Sequence, residues 1–193
     1  MQHSTKLVVI GDKRQDKGKI ALLYRFKTGK EFTNGIIPAV FDNQNTYVTV
    51  DGQITDLELI DTSGQEEYKN LRSMNYDEMD VALICFNFDN IESLTNVEAS
   101  WIPELELVSE RMNSAMPHVL LVGISMSDSI DISPTMRETA NSVAKRIGAY
   151  NGMFYECRPM TGEGVDIIFE DAVRSTFSDH QCRICGSSEC CVQ

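Results

Sequence analysis

The chain has 193 residues, 42% hydrophobic and 24% charged, which suits one globular domain with a sizeable core and excludes wholesale disorder. A formal net charge of -12 repels phosphates and argues against nonspecific nucleic-acid binding. No apolar run approaches the roughly 20 residues that span a bilayer, and residues 7–10 are too short for a signal-peptide core, so a cytosolic chain is expected.

Residues 6–10 (KLVVI) form a short apolar run ended by glycine, the pattern of a buried strand. A local basic cluster follows, Lys13, Arg14, Lys17 and Lys19; its plain reading is a solvated loop. Ile20, Leu22, Leu23 and Phe26 then keep helical spacing until Gly29. Residues 46–50 and 54–60 flank Asp51-Gly52, a strong hairpin signal because both turn positions need positive φ. Residues 81–86 (VALICF) and 119–122 read as buried strands, and Cys85 and Cys157 in such runs read as core. Between them Leu94, Val97, Trp101, Leu105 and Val108 mark one helix face, with a kink expected at Pro103. A helix over 135–147 closed by Gly148, a strand over 153–157 and a helix over 164–177 complete the series. Strands alternating with helices predict a mostly parallel sheet covered on both faces, with one antiparallel edge strand from the hairpin. After Phe177 the composition turns polar and cysteine-rich, the mark of a flexible tail.

The first strand–loop–helix has the layout in which backbone N–H groups and a lysine cradle phosphates at a helix N-terminus. After the hairpin come Asp61-Thr62-Ser63-Gly64-Gln65-Glu66, then an apolar strand, Trp101-Ile102-Pro103-Glu104-Leu105, and a strand ending Leu121-Val122-Gly123. With Pro38-Ala39-Val40-Phe41, Arg146-Ile147-Gly148-Ala149 and Glu156-Cys157, this order resembles the Rho branch of the Ras-like small GTPases. The last four residues, Cys190-Cys191-Val192-Gln193, look like that family's prenylation box. The resemblance covers roughly residues 5–193 and implies a Ras-like α/β domain of P-loop type over 1–177, followed by a lipidated tail over 178–193. It implies three layers, with a six-stranded, mostly parallel sheet carrying one antiparallel edge strand. The helical insert that Rho proteins carry soon after the fifth strand is missing or reduced here, which puts insert-dependent partners in doubt.

By the same resemblance, GTP or GDP with magnesium would meet Gly11, Lys17, Gly18, Lys19, Asp61, Gly64 and Asp128. Asp61 would serve the metal, and Gln65 would orient an attacking water. Segments 33–43 and 64–76 would meet effectors and regulators, with Pro38, Val40, Phe41, Tyr68 and Leu71 as contacts. The plainer reading of the aromatic and apolar members is packing over the sheet.

Departures from the family pattern fall on the nucleotide itself. The expected loop is G-x4-G-K-[ST], but six residues separate Gly11 from Gly18-Lys19, and Ile20 stands where a magnesium-binding hydroxyl belongs. A rival register puts Lys17 in the lysine place, with Asp16 replacing the glycine and Gly18 the hydroxyl. The switch threonine has become Ala39, which removes the latch that senses the terminal phosphate. The guanine-reading Asn-Lys-x-Asp is replaced by residues 124–128 (ISMSD), and Ser-Ala-Lys by Arg158-Pro159-Met160. Each lost charge-assisted contact is worth about 1.5–3 kcal/mol, so weak or absent GTP binding and hydrolysis are expected. A divergent but working GTPase, gripping phosphates by loop charge and magnesium through Asp61, is the alternative.

In the tail, Cys190 is the prenylation candidate, and a terminal glutamine suits farnesyl. A single chain holds membranes only marginally, and residues 179–193 offer Arg183 and His180 as their basic groups, so palmitoylation of Cys182, Cys185 or Cys191 is the expected second signal. A zinc site built from the same cysteines is the competing reading, although adjacent Cys190 and Cys191 span a tetrahedron poorly. The expectation is a scaffold on the cytoplasmic face of a cellular membrane, binding effectors or regulators and not nucleic acid.

Overall fold

A computed structural model describes residues 3–13, 16–30, 32, 37–39, 41–127 and 132–177. Its six strands are β1 (His3–Gly11), β2 (Gln44–Val50), β3 (Gln53–Asp61), β4 (Val81–Asn87), β5 (His118–Ile124) and β6 (Phe154–Cys157), in the sheet order β2-β3-β1-β4-β5-β6. Only the β2–β3 pair is antiparallel. The helices are α1 (Asp16–Thr28), α2 (Lys69–Ser73), α3 (Ile91–Asn96), α4 (Ile102–Met112), α5 (Pro134–Arg146) and α6 (Val165–Ser175). This is the six-stranded, three-layer α/β architecture that the resemblance implies.

The strand period of two explains the layering. Leu7, Val9, Leu83 and Cys85 face one way and join Leu22 and Leu23 of α1 with Ile168, Phe169 and Ala172 of α6 in one core. Val8, Ile10, Ile84 and Phe86 face the other way, into a second core with Leu94, Trp101, Leu105, Ala140 and Ala144. Phe26 stacks on Phe169 with ring centroids 3.7 Å apart, closing α1 onto α6. Because β1 and β4 are covered on both faces, their apolar runs are continuous.

Turn chemistry fixes the ends. Asp51 and Gly52 adopt φ of 50° and 79°, as the two-residue link between β2 and β3 requires. Gly29, at φ 62°, donates its N–H to Arg25 O at 2.9 Å and stops α1. The helix read through Leu94 to Val108 is interrupted, but not at Pro103: a single wide π-turn at Val97–Trp101 separates α3 from α4, and Pro103 sits in the first turn of α4. Proline lacks an N–H and its ring crowds the carbonyl four residues back, so the wider turn just upstream absorbs the misfit. Ile124 ends β5 and Pro134 begins α5, which leaves no room for an inserted helix of several turns.

From the carboxyl end of β1 the chain builds β2 and β3 on one side, then β4 to β6 on the other. Ligand clefts of open α/β sheets form outside the strand ends at such a reversal of strand order. Gly11 ends β1 here, and the loop into α1 leaves from it.

Candidate phosphate-loop site

Lys19 lies one turn into α1 and is fully buried, whereas Lys17 is exposed. Helix geometry sets Asp16 three residues before Lys19 on the same face. The Asp16 carboxylate accepts from Lys19 Nζ at 3.0 Å, and the same oxygen, Oδ1, accepts the Gly64 backbone N–H at 3.3 Å. Lys19 Nζ also donates to the Thr62 carbonyl. Thr62 is tied back to β1, its hydroxyl donating to Val9 O at 2.8 Å. Gly64 must be glycine at this point: a Cβ there would lie 2.1 Å from Gly11 O and 2.3 Å from Lys13 N, so the segment after β3 presses directly on the phosphate loop.

Asp61, at the end of β3, is the other carboxylate near Lys19, at 3.9 Å from Nζ. Its Oδ1 is buried and accepts no hydrogen bond. Burial raises its carboxyl from 3.8 to about 6; Lys19 pulls it down, and the neighbouring Asp16 charge pushes it up further. Cys85, beneath on β4, is a fully buried thiol that burial pushes up to about 12, so it stays protonated and inert.

A second polar network anchors the loop from the α3 side. The Asp12 carboxylate accepts from Asn96 Nδ2 and from Trp101 Nε1, both at 2.9 Å. Trp101 in turn lies under the Arg72 guanidinium, 4.9 Å from the ring centroid. Arg72 makes two 2.8 Å bonds to the Glu104 carboxylate and donates to the carbonyls of Ser63 (2.7 Å) and Gln65 (3.2 Å). The Tyr76 hydroxyl donates to Glu104 at 2.8 Å. Arg72 and Glu104 are 2% and 7% exposed, so the pair is buried and bidentate. It holds the Gly64 to Tyr76 segment against α4.

The positions that would face a metal or a base are apolar or already partnered. Ile20 is buried in the core that also holds Phe41 and Ile124, with Ile37 and Met126 packed against it. Ala39 is exposed. A Cβ on Gly18 would meet Ile124 Cγ2 at 3.2 Å and Met126 Sδ at 3.7 Å, so the loop after β5 leans on the start of α1. Arg158 donates to Ser127 O at 3.1 Å and pairs with Glu156 (3.3 Å) and Glu163 (3.4 Å), joining the loops after β5 and β6.

Of the residues singled out from sequence, Gly11, Gly18, Lys19, Asp61 and Gly64 come together at the carboxyl ends of β1 and β3. Gln65 is half-buried beside them. Lys17 is exposed, and Lys19 is the loop lysine that turns inward. Tyr68 and Leu71 are 47% and 62% exposed and Pro38 is half-buried; Phe41 is 8% exposed, its ring in the cluster around Ile20, where the plainer packing reading has it. Val40, Asp128, Cys182, Cys185, Cys190 and Cys191 lie outside the described residues. Sequence reasoning gave Asp12 and Arg72 no role, and it named Asp16 only as a glycine replacement and Glu104 only within a motif. The i, i+3 spacing of Asp16 and Lys19 was the available signal for one of them.

Residues 6–178 match the family model described as Ras family. The GTP-binding protein rho1 of Schizosaccharomyces pombe is 37% identical over 194 residues, covering 95% of this chain and 91% of that protein. The GTP-binding protein RHO2 of Saccharomyces cerevisiae is 40% identical over 180 residues, with 89% and 88% covered. The Rho-related GTP-binding protein RhoB of Homo sapiens is 34% identical over 196 residues, with 96% and 95% covered.

Proposed function

The chain belongs to the Rho branch of the Ras family of small GTPases, and we propose that it serves Rho-type signalling as a membrane-anchored scaffold that binds nucleotide weakly or not at all. The observation that carries this reading is the satisfied state of Lys19. This fully buried cation of the phosphate loop already holds Asp16 and the Thr62 carbonyl.

The donor set also fits a magnesium-bound triphosphate poorly. Magnesium demands oxygen ligands in near-octahedral geometry, and Ile20 and Ala39 offer none from their side chains. Asp61 remains as a single carboxylate, too few protein oxygens to replace the two missing side-chain ligands. Gln65 alone can position a water, but positioning contributes little where the charge of a transferring phosphoryl group is not neutralised.

The partner surface is the Gly64 to Tyr76 segment. Tyr68, Leu71 and Met74 stand 47%, 62% and 72% exposed in sequence proximity, an apolar patch carried on a backbone that Arg72 and Glu104 hold from beneath. Effector or regulator proteins of Rho-type signalling are its proposed partners. The proposed anchor is a prenyl group on Cys190, helped by palmitoylation of Cys182, Cys185 or Cys191, which would place the protein on the cytoplasmic face of a cellular membrane.

Lys19, Asp61, Gly64 and Gln65 are what favour the competing reading, a working GTP switch. Denaturing freshly purified protein and identifying any released nucleotide separates the two, followed by GTP titration with and without magnesium. The scaffold reading expects no stoichiometric nucleotide and no magnesium-dependent tight binding. Bound GDP, or nanomolar GTP affinity that needs magnesium, would overturn it.

A further inference from the structure

We propose that Asp16 is a built-in anion that takes the place of a nucleotide's terminal phosphate and ties Gly64 to the phosphate loop without any ligand. The inference rests on the scaffold reading above and deepens it, by naming what occupies the phosphate subsite.

A phosphate in a loop of this type is held by the loop lysine and by backbone N–H groups that converge on it. In this chain both kinds of donor converge on one carboxylate oxygen. Asp16 Oδ1 lies 3.0 Å from Lys19 Nζ and 3.3 Å from the Gly64 nitrogen. The lysine comes from α1 and the amide from the segment after β3, 48 residues apart in the chain, so the carboxylate bridges two separate elements. Gly64 lies so close to Gly11, Asp12 and Lys13 that even a Cβ has no room between them. The loop's other described carboxylate, Asp12, is turned away from Lys19 and satisfied by Asn96 and Trp101. Asp12 and Asp16, the described carboxylates of the loop, are therefore both engaged by the protein's own groups.

Charge decides what this does to a ligand. An incoming polyphosphate must displace Asp16 from Lys19 and then sit beside the two carboxylates, Asp16 and Asp61, that already share that lysine. Asp16 thus does two things at once: it opposes polyphosphate at Lys19, and it holds the Gly64 amide without a ligand.

The test compares wild-type protein with Asp16→Asn, which keeps the shape and removes the charge. Asp16→Ser serves as a second variant, since serine is well tolerated at a helix start. Circular dichroism confirms that each variant folds. Amide exchange at Gly64, read by NMR on nucleotide-free protein, should quicken roughly tenfold or more in the variants, the loss expected for a bond to a charged acceptor. Inorganic tripolyphosphate at millimolar concentration should raise the melting temperature of the variants and leave wild type unmoved. Unchanged exchange at Gly64, or variants as indifferent to tripolyphosphate as wild type, overturns the inference while the scaffold reading stands. Nucleotide released from denatured wild-type protein overturns the scaffold reading and this inference with it.

Discussion

Removing the Glu104 carboxylate tests whether the Gly64 to Tyr76 segment is held rigidly from beneath. In Glu104→Ala the Arg72 guanidinium, 2% exposed, loses two 2.8 Å bonds and its counter-charge. It keeps the carbonyls of Ser63 and Gln65 and the face of Trp101. Breaking one side of a buried pair costs about 3–5 kcal/mol, because the surviving charge is left without compensation. A retained cation–π contact offsets about 1 kcal/mol of that, so a loss of about 3 kcal/mol is expected. At roughly 2–4 °C per kcal/mol for a chain of this size, the melting temperature falls by about 6–12 °C. The chain's single tryptophan, Trp101, lies in the junction itself, so its fluorescence during urea unfolding reads the effect directly. The double variant Arg72→Met with Glu104→Leu should recover most of the loss, since an apolar replacement of both partners leaves no orphan charge. A loss below about 1 kcal/mol in Glu104→Ala, the value of an exposed pair, would refute the buried-anchor argument.

Three further outcomes are expected. The Asp61 carboxyl, raised from 3.8 to about 6, binds its proton more tightly in the folded state, so its contribution favours folding below about pH 4 and is lost as pH rises through about 6. A shift of about two units corresponds to roughly 3 kcal/mol, so Asp61→Asn should gain stability over wild type as urea unfolding is repeated from pH 4 to 7; parallel pH profiles would sink this argument. Threonine restored at Ile20 and Ala39 together should bring no tight GTP binding, because Ile124 and Arg158 still occupy the base-reading loops, and recovered magnesium-dependent binding in a fluorescent-nucleotide titration would show that those loops matter less than argued. Cys190→Ser should shift the protein from membrane to soluble fractions, and an unchanged distribution would dismiss the lipid anchor.

The parts of the fold that follow from local rules were legible in the sequence. The continuous apolar run of β1, the Asp51-Gly52 turn and the glycine stop at Gly29 each depend on residues close in the chain, and each appears where the spacing predicts. Pro103 was legible as a disturbance but misplaced, because the strain of a missing N–H is relieved in the turn before it, and the sequence does not mark which turn yields. The phosphate loop was legible as a position through Gly18-Lys19 and the order of everything downstream. Its inner bonds were not. Asp12 meets Asn96 and Trp101 across separations of 84 and 89 residues, and Arg72 meets Glu104 across 32, so no periodicity connects them. Phe41 stood open between a contact surface and packing over the sheet, and its burial follows from the apolar cluster that it shares with Ile20.

The persistence of Lys19 has a physical explanation that needs no nucleotide. A fully buried ammonium without a partner is costly, by several kcal/mol even after relaxation. In a phosphate-binding loop the ligand offsets that cost. Here Asp16 at 3.0 Å, the Thr62 carbonyl and Asp61 at 3.9 Å do so from within the chain. Removing the lysine would leave two acidic side chains facing each other in a site that already pushes Asp61 upward. Lys19 therefore has a structural role as the centre of an acid–base–acid arrangement, and its presence is not by itself a sign of nucleotide binding. The same arrangement shows how Ile20 is accommodated: it packs in the core with Phe41 and Ile124, while the Asp16 carboxylate partners Lys19 and the Gly64 amide.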